Sequence, residues 1–250
     1  MKIRLFSDLH EEFVPFRYEY AGEDLVILAG DIHTKNRHAV LLKQIPKDVP
    51  IIMVAGNHSF YSSVYQDVIK FLYSLEKDFP NFTFLNNEWI IHDTIPIYGG
   101  TMFSDFNLFN TSLQSSMIAK HSINDFRMIR KMNEGGVQSI WSPQDHLAEH
   151  KKFVEGLDEF TNCYGDKKRI VISHFLPSSQ CVSPEYTNDD CTPYYATNMD
   201  RYFGDENLLW AFGHTHISLN LRLGNSRVVS NPKGYYDENK DFNPNLVIEF

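Results

Sequence analysis

Five short fragments of this chain carry side chains that bind cations: Asp8-Leu9-His10, Gly30-Asp31, Gly56-Asn57-His58, His174, and Gly213-His214-Thr215-His216. Together they offer two carboxylates, one amide oxygen and four imidazoles, with His58 as a fifth imidazole beside them. Carboxylate, amide and imidazole suit borderline divalent metals such as Mn, Fe, Co, Ni and Zn. Seven candidate ligands exceed what one tetrahedral zinc uses, and no thiolate is among them. Two ions sharing a bridging carboxylate fit the count. Such pairs sit about 3.5–4 Å apart and clamp both the attacking and the leaving oxygen of a phosphoryl displacement.

Each fragment follows a short apolar run. "KIRLF" (2–6) precedes Asp8, "DLVIL" (24–28) precedes Gly30-Asp31, and "PIIMV" (50–54) precedes Gly56-Asn57-His58. "RIVI" (169–172) leads into His174 and "LLWAF" (208–212) into Gly213-His214. Apolar runs of this length, bounded by turn residues, read as buried strands. Sheets of α/β proteins place their sites at the carboxyl ends of such strands. Glycines at 30, 56 and 213 permit the tight turns that draw the side chains together.

"FTFL" (82–85), "TIPIY" (94–98), "RVV" (227–229) and "LVIEF" (246–250) are the other predicted strands. Val64, Val68, Phe71, Leu72, Leu75 and Phe79 recur at helical spacing and predict a helix over 62–79, with Ser63 and Gln66 as a capping box. Two more helices are predicted at 112–133 and 143–161, separated by "NEGG" (133–136), the second opened by Ser142 and Pro143. This alternation argues for an α/β class. We expect one domain over 1–250, with a mainly helical insert at about 101–166 and a long loop over the site at about 176–203.

The bulk composition narrows the partners. With 23 Lys+Arg against 32 Asp+Glu the net charge is −9, which argues against a long nucleic acid as the main partner. A small phosphorylated substrate needs only a few cations, and a metal ion can supply them. No run reaches the about 18 apolar residues of a membrane span, and the apolar start is too short for a signal peptide. Three cysteines without a C-x-x-C spacing favour a reducing compartment. The expected location is the cytoplasm.

D-x-H, G-D, G-N-H, a single H and G-H-x-H, in that order, resemble the signature of the calcineurin-like metallophosphoesterases. The resemblance implies a four-layer α/β/β/α sandwich with a dinuclear site at the strand ends. It implies that one ion is held by Asp8, His10, Asp31 and His216, and the other by Asp31, Asn57, His174 and His214, so that Asp31 bridges. Two divalent ions are therefore expected, manganese first, with Mg, Co, Ni, Fe or Zn as substitutes, and attack by a hydroxide bridging them. In the family His58 is no ligand; it contacts the phosphate and can protonate the leaving oxygen. Three departures separate this chain from larger relatives. "GDIHTKN" replaces the G-D-x-x-D-R-G of the protein Ser/Thr phosphatases, Thr34 stands where purple acid phosphatases carry a ligand tyrosine, and Ser59 stands where an acidic residue often follows G-N-H. His33 reads as a solvent-facing loop histidine.

The expected reaction is hydrolysis of a small phosphate monoester, a (deoxy)nucleoside 5′-monophosphate first, because the chain looks like the compact bacterial and phage members of that family. The alternative is a phosphodiesterase acting on cyclic or short nucleotides. A nuclease fits the acidic charge less well, and a non-catalytic scaffold fits poorly with every ligand position filled. Expected substrate contacts are Asn124 and Arg127 in "HSINDFRMIRK" (121–131), with Arg130 near them; arginine suits bidentate phosphate recognition. Phe103 and the tyrosines at 186, 194 and 195 are candidates to stack on a base, and Lys233 lies in a turn, "NPKGY", expected near the site.

Overall fold

In a computed structural model that describes residues 1–236 and 238–250, the buried runs pair into two main sheets. The strands are β1 (Lys2–Phe6), β2 (Leu25–Ala29), β3 (Ile51–Val54), β4 (Phe82–Phe84), β5 (Glu88–His92), β6 (Ile95–Gly99) and β7 (Arg130–Met132). They continue with β8 (Gln138–Ile140), β9 (Arg169–Ile172), β10 (Leu208–Phe212), β11 (Leu219–Leu223), β12 (Ser226–Ser230) and β13 (Val247–Glu249). The first sheet is ordered β13-β1-β2-β3-β4 and the second β11-β12-β10-β9-β6-β5. Central pairings are parallel, and antiparallel neighbours occur only at the edges, through β13, β11 and β5.

Alternation within each strand builds the layers. Leu25, Ile27 and Ala29 of β2 share an inter-sheet core with Ile170 and Ile172 of β9 and with Leu209 and Ala211 of β10. Val26 and Leu28 turn the other way, into the core beneath the helices. A strand buried on both faces must be apolar throughout, and that is why "LVILA" and "LLWAF" show no polar positions. Helices α1 (Ala39–Leu42), α2 (Tyr65–Asp78), α3 (Ser112–Ser122), α4 (Asp125–Met128), α5 (Pro143–Tyr164) and α6 (Thr192–Tyr195) complete the chain. On α2, Val68, Leu72 and Leu75 are buried and the helix packs on β4. Phe153, Leu157 and Phe160 of α5 form a stripe at helical spacing, and Phe153 and Phe160 meet Tyr98 of β6. This is the expected α/β/β/α sandwich.

Several boundaries differ from the sequence expectation. The helix predicted over 112–133 ends at Ser122 and resumes only for the four residues of α4. The chain then pairs as the hairpin β7–β8 around Gly135 and Gly136, both at positive φ. The predicted capping box of Ser63 and Gln66 does not form, since Val64 is the N-cap of α2. Gln66 instead bonds both the N–H and the carbonyl of Met132, at 2.9 and 3.1 Å, which diverts it to the hairpin. β5 and β11 lie where no strand was predicted. Ser142 does cap α5, with Asp145 closing the reciprocal bond and Pro143 in the first turn.

Residues 176–203 contain only short turns of helix, among them α6. All three cysteines are free. Among the described residues, no helix is long and apolar enough to cross a membrane.

Candidate metal centre

The turns that follow β1, β2, β3, β9 and β10 carry the side chains singled out by type. Asp8, His10, Asp31, His214 and His216 sit at φ between 45° and 65°. Residues with a Cβ enter that left-handed region at a cost of about 1–3 kcal/mol each. One fully buried Leu or Ile contributes about 1.5–3 kcal/mol, and the strands behind these turns are buried along most of their length. The sheet thus holds the turns bent. Gly30 lies at φ +91°, and a Cβ there would stand 2.3 Å from His174 Nδ1; a Cβ at Gly56 would stand 2.1 Å from Asp31 Oδ1. Both glycines are needed for close approach.

Three imidazoles are anchored from behind. Nδ1 of His174 donates to the Ala29 carbonyl at 2.9 Å, Nδ1 of His216 to Glu238 at 2.7 Å, and Nδ1 of His10 to Glu12 at 3.1 Å. An acceptor at Nδ1 fixes the tautomer and leaves the Nε2 lone pair facing the site, as metal-binding histidines require. His174 Nε2 lies 3.1 Å from Asn57 Oδ1 and 3.3 Å from Asp31 Oδ2, and His216 Nε2 lies 3.3 Å from Asp8 Oδ1.

Two features ask for cations. His10 Nε2 and His216 Nε2 face each other at 3.3 Å while Nδ1 of each ring meets a carboxylate, an approach that needs a shared proton or a metal ion between the two nitrogens. His214 Nε2 is buried with no hydrogen-bond partner, a cost of about 1–3 kcal/mol that a ligand bond would remove. Asp8, Asp31, His174 and His214 bring ligand atoms within 4.8 Å of one another, and Asp8, His10 and His216 form a second such group. Asp31 Oδ2 also lies 4.0 Å from His10 Nε2, so Asp31 as well as Asp8 reaches both halves. Oxygen and imidazole donors in this number fit two borderline divalent ions.

Charge is shared unequally within the cluster. Burial opposes ionisation of Asp8, but its hydrogen bond to His216 and the nearby His174 draw its pKa down to about 2. Burial likewise opposes a charged His174, yet Asp31 beside it raises its pKa to about 9; a cation at its Nε2 would take the place of that proton. Desolvation of the His214 ring, with His174 beside it, pushes its pKa well below the ordinary imidazole value.

His58 is built differently. Its ring stacks on Tyr61 with centroids 4.1 Å apart, its Nδ1 lies 3.5 Å from Glu12 Oε1, and its Nε2 is 3.0 Å from the Tyr235 hydroxyl. Its backbone N–H donates to Asp31 Oδ1 at 2.9 Å. Burial lowers its pKa, but Asp31 and Glu12 outweigh that and raise it.

A family model described as calcineurin-like phosphoesterase matches residues 1–218. The chain belongs to the calcineurin-like phosphoesterase family. It is 25% identical to an uncharacterised protein of Acanthamoeba polyphaga mimivirus, over 99% of this chain and 96% of that one. Its fold is similar to that of the phosphopantetheinyl hydrolase of Mycobacterium tuberculosis, with a TM-score of 0.70 at 15% identity, over 95% of this chain and 90% of that one.

Other expected residues of this calcineurin-like phosphoesterase fall in different settings, some against the cluster and some buried or on the surface. Phe103 is 1% exposed and packs among Trp141, His146 and Phe175; a ring sealed in the core offers no face to a base. Arg127 is exposed, donates to the His121 carbonyl and lines a hollow of about 300 Å³ with Ser62, Ser63 and Arg130. Asn124 is an exposed residue at the start of α4. Tyr194 is buried against Asp125, whereas Tyr195 lies with its ring 5.0 Å from His214. His33, expected in solvent, is 5% exposed with Nδ1 4.0 Å from Glu12, because the turn after β2 folds back over the β1 loop.

Five site residues escaped the sequence reading: Glu12, Tyr61, Asp125, Tyr235 and Glu238. Glu12 is the second residue after the D-x-H fragment in "DLHEE", and Asp125 stands between the two residues chosen from "NDFR". Proximity to a motif was the available signal for both.

Proposed function

We propose that this calcineurin-like phosphoesterase hydrolyses a small phosphate monoester, a nucleoside 5′-monophosphate in the first instance, with two divalent ions bound. The observation that carries the reading is the convergence of seven oxygen and imidazole donors, with the Nε2 atoms of His10 and His216 turned on each other at 3.3 Å. Asp8, His10, Asp31 and His216 would hold one ion, and Asp31, Asn57, His174 and His214 the other, manganese being the first to test. Bound ions of this kind polarise a phosphoryl oxygen and supply a nucleophile at neutral pH.

The chain's own residues do the rest. Asp31 and Glu12 beside His58 favour its protonated form, from which the Nε2 proton can pass to the leaving oxygen. Glu12, beside His58 Nδ1, and Tyr61, stacked on its face, hold the ring in place. The net charge of −9 supports a small substrate over a nucleic-acid polymer.

The test is a panel of phosphomonoesters and diesters assayed with Mn, Mg, Co and Ni. It includes nucleoside monophosphates, cyclic nucleotides and, after the structural neighbour's name, phosphopantetheine esters. Phosphate release from mononucleotides with weak salt dependence is expected. Salt-sensitive degradation of long DNA without release from mononucleotides would replace this reading with a nuclease.

A further inference from the structure

The family match ends at residue 218, but the cluster draws on the chain beyond it. After β12, residues 231–236 fold back across the β1 turn. Lys233 N–H donates to the Ser7 carbonyl at 3.1 Å and Gly234 N–H to the Asp8 carbonyl at 3.0 Å. Tyr235 N–H donates to Glu238 Oε2 at 3.0 Å, the same oxygen that takes the His216 Nδ1 proton at 2.7 Å. The segment is therefore tied to two expected metal ligands through backbone and side chain alike.

That anchoring aims one group. The Tyr235 ring lies 4.4 Å from the His10 ring and 4.8 Å from the His216 ring, with Phe13 edge-on at 5.5 Å. Its hydroxyl ends 3.0 Å from His58 Nε2, the nitrogen that must meet the substrate if His58 is the acid. A tyrosine hydroxyl accepts one hydrogen bond and still has its own proton to give. Two polar atoms this close can grip one substrate oxygen together.

Resting on the phosphoesterase reading, we propose that Tyr235 is a catalytic residue. Its hydroxyl donates a hydrogen bond to a phosphoryl oxygen of the ester, beside His58, and no bond to Tyr235 is made or broken. Because the segment lies outside the family-matched region, this contact is a feature of the present chain's C-terminal part.

The experiment compares wild type, Tyr235→Phe and Tyr236→Phe, each loaded with manganese. It reads turnover on a phosphate monoester, bound metal, and orthophosphate affinity by calorimetry. Tyr235→Phe keeps the ring against His10 and His216 and removes only the hydroxyl. Removing a donor to a developing oxyanion costs about 100–1,000-fold in kcat; we expect a kcat loss of at least about tenfold and weaker orthophosphate binding, with metal content unchanged. Tyr236, 65% exposed, should tolerate the same change. Wild-type kcat and phosphate affinity in Tyr235→Phe would overturn the proposal. If wild type turns over no ester yet binds orthophosphate through Tyr235, the phosphoesterase reading fails while the contact stands.

Discussion

Asp125 Oδ1 accepts a hydrogen bond from Asn57 Nδ2 at 2.9 Å, and this contact decides which way the Asn57 amide faces. With its NH2 group turned to Asp125, Asn57 must present Oδ1 to His174 and to the ligand cluster. The same carboxylate also accepts from Tyr61 at 3.0 Å and from Tyr194 at 2.6 Å. One buried residue of α4 thus orients an expected metal ligand and the ring on which His58 stacks.

Removing that carboxylate should loosen the metal site without touching a ligand. Partners behind metal ligands are worth about 10–100-fold in affinity. Asp125→Ala should weaken binding of one of two manganese ions by about that factor, with the more isosteric Asp125→Asn intermediate. Metal titration by calorimetry checks this, and two ions bound at wild-type affinity in both variants would refute it.

Asp31 makes a sharper demand. Its Oδ2 lies 3.3 Å from His174 and 4.0 Å from His10, so its loss should affect both ions. Asp31→Asn should lose more metal and more activity than Asn57→Ala or His10→Ala. Near wild-type turnover with two ions retained would remove Asp31 from the shared position.

His58 should matter to chemistry and not to metal loading. General-acid catalysis is worth about 10²–10⁴-fold. His58→Ala should therefore lower kcat by about that much on alkyl phosphates, and by less on p-nitrophenyl phosphate, whose leaving group departs unaided. Equal losses on both esters, measured side by side, would take the acid role from His58.

Acid should destabilise the fold through His146. This fully buried histidine lies among Phe103, Phe106, Phe175 and Tyr194, where its Nε2 accepts the Ser104 N–H at 2.9 Å. Burial, then the neighbouring His150, hold its pKa well below the ordinary value. The unfolded chain takes the proton first, at about pH 6.5, so the stability present above that pH is lost as pH falls. Between pH 7.5 and 5.5 one such group costs on the order of 1 kcal/mol. In chelator-treated protein, urea denaturation should show His146→Gln losing less stability than wild type over that range. Identical pH dependence in the two proteins would exclude His146 as a source.

The sequence by itself determined the strand-end turns and the kind of chemistry they carry. Both are local: an apolar run, a glycine and a ligand residue adjoin along the chain, so "LVILAGD" and "LLWAFGHTH" state strand, turn and donor together. The sheet order, the rear anchors and the fate of the insert were decided only by tertiary contacts. Asp125 reaches Asn57 across 68 positions, His174 finds the Ala29 carbonyl across 145, and Glu238 meets His216 across 22. The helix predicted through 112–133 breaks at Ser122 and does not resume after Met128, where the chain is drawn alongside α2. Arg130 N–H bonds the Ser63 carbonyl at 3.0 Å, and Gln66 takes both backbone groups of Met132. A short helix adds little stability for each residue it orders. Backbone groups offered fixed partners on a neighbouring element are the stronger claim, and no window along the chain displays them.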